Sequence, residues 1–79
     1  MKVQVRLFGP LAEQAGKSQL TVVVTGNTVQ DVIAAVEGAA PALEISRSVR
    51  FAVNTEYAEP SAVVREEDVV SLIPPVGGG

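Results

Sequence analysis

The 79-residue sequence contains no cysteine, no histidine and no tryptophan. Without cysteine there is no disulfide to staple the fold, no thiolate nucleophile, and no indication of redox compartment. Without histidine, metal sites built from nitrogen and sulfur ligands and Ser-His triads fall away together, so no metal is expected. Basic residues are also few: six Lys and Arg against nine Asp and Glu leave a net charge of −3, with no basic run and no interleaved aromatics. Nucleic acid is excluded on that ground, because phosphate binding needs a basic face that releases counterions. No apolar run approaches the ~18 residues of a membrane span. Met1-Lys2-Val3 leads straight into a strand pattern without the apolar core of a signal peptide, so a soluble, cytoplasmic protein is expected. The carboxylate pair Glu66-Glu67 lies in a polar stretch and reads as a solvated face rather than as an acid–base pair. The chain is poorly equipped to be an enzyme by itself.

What is present is 47% apolar residues, carried mainly by Val, Ala, Leu and Ile, with Phe8, Phe51 and Tyr57 as the aromatics. A chain this short forms one domain, burying roughly 60–65% of the surface its unfolded form exposes. "KVQVRLF" alternates strictly, with Val3, Val5 and Leu7 on one face and Lys2, Gln4, Arg6 and Phe8 on the other. In "GPLAEQAGK", Pro10 suits a first helical position and Gly16 the end of a short helix or turn. "QLTVVV" then reads as a second strand, antiparallel to the first. "TGNTVQDVIAAVEG" is the clearest helix: Thr28 and Asp31 are spaced as a capping box, Val29, Val32, Ile33 and Val36 form one face, and Gly38 is placed as the stop. "VRFAVN" sends Val49, Phe51 and Val53 inward, "NTEY" is a turn, and an irregular stretch reaches Val64. "REED" is a charged turn before "VVSLI", where Val70 and Leu72 share one face and Val69, Ser71 and Ile73 the other.

The order β-β-α-β-(short strand)-β defines an α+β fold of the β-grasp type, a mixed sheet of four to five strands with one main helix packed across it. Residues 1–73 form the domain and residues 74–79 an extended tail. Pro74 and Pro75 remove two backbone donors after Ile73 and fix both φ angles, so the tail leaves the sheet stiffly. Gly77, Gly78 and Gly79 lack a Cβ and can enter a passage too narrow for side chains. Extended, the tail reaches about 20 Å. Its one reactive group is the α-carboxylate of Gly79, ionised at neutral pH and unreactive until activated. Composition alone leaves an inert glycine-rich end equally open; the stiff exit and the β-grasp pattern upstream favour a site.

Over its whole length the sequence resembles the small subunits of molybdopterin synthase, which are ubiquitin-like sulfur carriers. The likeness rests on "VRLFGPLAEQAG", "TVQDVIAAV", "FAVNTEY" and above all "REEDVVSLIPPVGGG". Gly77 departs from the Ser or Thr often found before the terminal pair, which makes the tail more flexible. The resemblance implies that an E1-like adenylyltransferase uses ATP to activate Gly79. Sulfur then replaces AMP, supplied by a donor such as a cysteine desulfurase or rhodanese, and leaves a thiocarboxylate. No cofactor is expected on the chain itself. The tail, Pro74, Pro75, Val76, Gly77, Gly78 and Gly79, would enter the large subunit of the synthase and donate sulfur to cyclic pyranopterin monophosphate, building the dithiolene of molybdopterin. The large subunit would supply the catalytic groups.

A partner must then be held. Phe8, Val69 and Ile73 fall on the outer face of the first and last strands, which are adjacent and parallel in a β-grasp sheet, and Tyr57 matches an apolar surface position of the family. Each also has a bland reading as a scattered surface residue or turn cover. Arg6 and Arg50 flank the patch with little weight, and Asn54 reads as a turn residue that tolerates the left-handed region. Related carriers for thiamine, cysteine or tRNA thiolation, a modifier forming isopeptide bonds through Gly79, and a binding domain with an inert tail remain the alternatives.

Overall fold

The computed structural model describes residues 1–45 and 48–75. Strand β1 (Lys2–Leu7) buries every second residue, Val3, Val5 and Leu7. Helix α1 (Pro10–Ala15) follows at once. It opens on Gly9 and closes on Gly16, which is left-handed at φ 75° and whose N–H reaches the carbonyls of Ala12 and Glu13. Strand β2 (Gln19–Val23) pairs antiparallel with β1.

Helix α2 (Val29–Ala39) carries the expected capping box. The Thr28 hydroxyl accepts the Asp31 N–H at 3.2 Å, and the Asp31 carboxylate accepts the Thr28 N–H at 3.1 Å. Gly26 precedes it at φ 106°, where a Cβ would collide with that carboxylate. Two further donors of the first turn are met from a distant segment: the N–H groups of Val29 and Gln30 bond the carbonyls of Ala62 and Pro60 at 3.0 and 2.9 Å. The irregular stretch before Val64 thus closes the start of the helix.

Gly38 is not the stop that its position suggests. It lies within α2, which ends one residue later with Ala40 as its cap. The terminator is Pro41, whose ring disfavours helical geometry in the preceding residue; Ala40 sits at φ −136°, ψ 75°.

Strands β3 (Arg50–Val53), β4 (Glu56–Ala58) and β5 (Val69–Ile73) complete a five-stranded sheet in the order β2-β1-β5-β3-β4. The central β1–β5 pair is parallel and the other pairings are antiparallel. One face packs Val3, Val5, Leu7, Val70 and Leu72 against Val29, Val32 and Val36 of α2. Val49 is buried, and Phe51 and Val53 pack against the same core half-buried. No described helix covers the opposite face, which carries Lys2, Gln4, Arg6, Val69, Ser71, Ile73 and Ala52. β5 ends at Ile73 in the middle of the sheet, and that placement sets where Pro74 and Pro75 emerge.

Candidate docking face and tail exit

The parallel register brings the ends of β1 and β5 together: Leu7 pairs with Leu72, so Phe8 and Ile73 follow side by side. The chain then turns sharply at Gly9. Phe8 stays 42% exposed, and the Arg6 guanidinium lies 5.9 Å from its ring centroid, within cation–π range. Phe8, Ile73, Pro74 and Pro75 line an open apolar hollow of about 500 Å³. The first two residues of the tail therefore leave the sheet against Phe8.

A second hollow of about 240 Å³ adjoins it, lined by Phe8, Ala52, Asn54, Thr55, Tyr57, Ser71 and Ile73. Its floor follows from register. Arg6, Ser71, Ala52 and Tyr57 stand opposite one another across β1, β5, β3 and β4. Ser71 and Ala52 are small and buried between larger neighbours, while Tyr57 is 73% exposed at the rim. Alternation placed Ser71 and Ala52 on the outer face but gave no signal that this face is grooved.

Of the residues expected to meet a partner, Phe8, Tyr57 and Ile73 line one continuous depression. Val69 shares their face but lies at the other end of β5, about 13 Å from Ile73 along the strand. Arg50 pairs with Ile73 and is exposed beside it. Val76, Gly77, Gly78 and Gly79 lie outside the described residues. Among the described residues no helix is long and apolar enough to cross a membrane.

The hairpin that carries Tyr57 is tied down by residues the sequence did not connect. Asn54, at φ 57°, donates its N–H to the Val69 carbonyl at 2.7 Å, and its Oδ1 accepts the Val69 N–H at 3.1 Å. Its Nδ2 donates to Asp68 Oδ1 at 3.1 Å. The other oxygen of Asp68 accepts the Arg65 N–H at 2.9 Å, closing the "REED" turn. These bonds, the Arg65 N–H first and the Asn54 amide next, hold the Asp68 carboxyl below the usual Asp value. The bonds from Thr28 do the same for Asp31.

A five-stranded β-grasp sheet with one long helix, and a last strand that runs through two prolines toward a glycine-rich end, defines a ubiquitin-like protein. The chain belongs to the ThiS family, which matches residues 5–79. It is 36% identical over 81 residues to the molybdopterin synthase sulfur carrier subunit of Arabidopsis thaliana, covering 100% of this chain and 84% of that one. Identity to the subunit of the same name from Chlamydomonas reinhardtii is 32% over 83 residues, covering 100% of both. Among solved structures it is similar to small archaeal modifier protein 1 of Haloferax volcanii, with a TM-score of 0.85 at 32% identity over 95% of this chain and 98% of that one. It is also similar to a chain of the complex between subunits 1 and 2 of the molybdopterin-converting factor of Helicobacter pylori, with a TM-score of 0.69 at 26% identity over the whole of both chains.

Proposed function

We propose that the chain is the sulfur-carrier subunit of a molybdopterin synthase, acting as a protein co-substrate through Gly79. The full-length likeness to two sulfur carrier subunits of that enzyme carries this reading. The chemistry suits the residues present. With no cysteine in the chain, sulfur cannot ride on a thiol as a persulfide, and the terminal carboxylate is the group left to hold it. An E1-like enzyme uses ATP to join that carboxylate to AMP, releasing pyrophosphate. The outer sulfur of a persulfide on a cysteine desulfurase or rhodanese then attacks the acyl-adenylate and displaces AMP. A thiol cleaves the resulting acyl disulfide, which releases the thiocarboxylate and leaves the donor's other sulfur in a disulfide with that thiol. Delivery to cyclic pyranopterin monophosphate moves the sulfur to the pterin side chain and leaves Gly79 as a carboxylate again, its oxygen coming from water.

The chain's own part is to present the tail and dock it. Pro74 and Pro75 give the exit one direction at low entropy cost, and the glycines beyond present no side chain to a narrow passage. Phe8, Tyr57 and Ile73, with Val69 at the margin, form the face that meets the large subunit. Support comes from the similar Helicobacter pylori chain, which was solved in complex with its second subunit.

A second reading is a protein modifier that forms isopeptide bonds through Gly79, which the likeness to the archaeal modifier favours. Intact-mass spectrometry of the chain from its native cell separates the two. A sulfur carrier gains the mass difference between sulfur and oxygen, and a modifier is recovered joined to whole proteins. Recovery of unaltered chain from cells actively making molybdopterin would overturn both.

A further inference from the structure

We propose that Asn54 and Asp68 are positioning residues that set the far wall of the docking groove, holding the β3–β4 hairpin in the attitude a partner reads. The inference rests on the carrier reading above and deepens it. The groove has two walls of unequal firmness. One, Phe8 and Ile73, extends β1 and β5 at the centre of the sheet. The other, Asn54, Thr55 and Tyr57, belongs to a two-residue turn and a three-residue edge strand that pairs only with β3. So short an edge hairpin has little to hold it in one orientation.

Asn54 supplies what the ladder lacks. Its backbone and side chain together exchange two hydrogen bonds with Val69, one residue beyond the last β3–β5 pair, Val53 with Val70. Its amide nitrogen then bonds Asp68, which is itself fixed by the N–H of Arg65. The hairpin is thereby joined to the turn that starts β5, the strand from which the tail departs. These side-chain bonds are exposed, so their effect on global stability is small. Their effect on local order is not, because a wall ordered before docking need not be ordered during it.

Exchange of the two side chains tests the pairing. In Asn54→Asp two carboxylates face each other. In Asp68→Asn one amide oxygen must serve both Arg65 and Asn54. The double variant restores a complementary set: the carboxylate at 54 accepts from Val69 and from the amide at 68, whose oxygen accepts the Arg65 N–H. Titration calorimetry with a molybdopterin synthase large subunit should show each single variant binding about tenfold more weakly, with the double variant recovering most of that loss. Amide hydrogen exchange of the isolated chain should show faster exchange at residues 54–57 in each single variant and wild-type exchange in the double, with β1 and the centre of β5 unchanged throughout. Single variants that bind and exchange like wild type would overturn the proposal, as would a double variant no better than the singles. Failure of the wild-type chain to bind the large subunit would instead overturn the carrier reading, and the docking role with it.

Discussion

Gly9 lies directly beside Pro74: a methyl group built on Gly9 would stand 3.5 Å from Pro74 Cγ, at ordinary van der Waals distance. The turn that ends β1 is thus the shoulder past which the tail leaves. Space is not what requires glycine there, since that contact is tolerable. The backbone requires it, because φ 55° with ψ −131° is closed to residues with a Cβ. Gly9→Ala should therefore destabilise the domain by about 1–3 kcal/mol in urea unfolding, through backbone strain. An unchanged midpoint would show that the turn relaxes at no cost.

Phe8 tests the docking face. It is partly exposed on the open side of the sheet, so Phe8→Ala should cost the isolated domain about 1 kcal/mol. Binding to the large subunit should weaken by about 2 kcal/mol or more, roughly 30-fold, because truncation removes packing at a desolvated centre. Thermal unfolding and titration on the same variant check both numbers, and a large stability loss with unchanged affinity would remove Phe8 from the interface.

Deleting Gly78 and Gly79 should abolish sulfur transfer while changing folding stability by no more than roughly 0.5 kcal/mol, since a glycine has no side chain to remove from a core. Gly78→Val should likewise fold normally and fail in activation or delivery, its β-branched side chain restricting φ and ψ and widening the tail. Reconstituted molybdopterin synthesis measures both, and a truncated chain that still supports it would sink the assignment of Gly79.

Acid should weaken the fold in a defined window. The carboxyls of Asp31 and Asp68 are held below their usual value by hydrogen bonds made only in the folded state. Their contribution is complete above the unfolded Asp pKa of about 3.9 and is lost as pH falls through the lower folded values, because the unfolded chain then binds more protons. The Asp31→Asn, Asp68→Asn double variant should be less stable than wild type near neutrality and should lose less on acidification below about pH 4. Parallel acid-unfolding curves for the two proteins would contradict this.

The parts legible in the sequence were those encoded by near neighbours. Alternation in "KVQVRLF" told the core side of β1 from the side bearing Phe8 because strand geometry repeats every two residues. Thr28 and Asp31 announced the start of α2 because a capping box closes within one turn. Gly38 misled because glycine usually marks a helix end, whereas Pro41 acted through the residue before it. Asn54 and Asp68 each read as a turn residue in its own segment. Nothing in either segment indicates that the two turns meet, since they are brought together by the β3–β5 pairing.

By itself, the sequence determined the order of strands and of the main helix, and the faces of β1, β3 and β5 that enter the core. Those features depend on composition and on short-range periodicity, which survive in a linear reading. Only the tertiary structure decided that Phe8, Ile73 and Tyr57 border one groove, that Ser71 and Ala52 form its floor, and that Asn54 secures its far wall. Each of these follows from cross-strand register in a sheet whose order is not the order of the chain, so residues 8, 57 and 73 become neighbours only when the parallel β1–β5 pair and its antiparallel partner β3 are all in place.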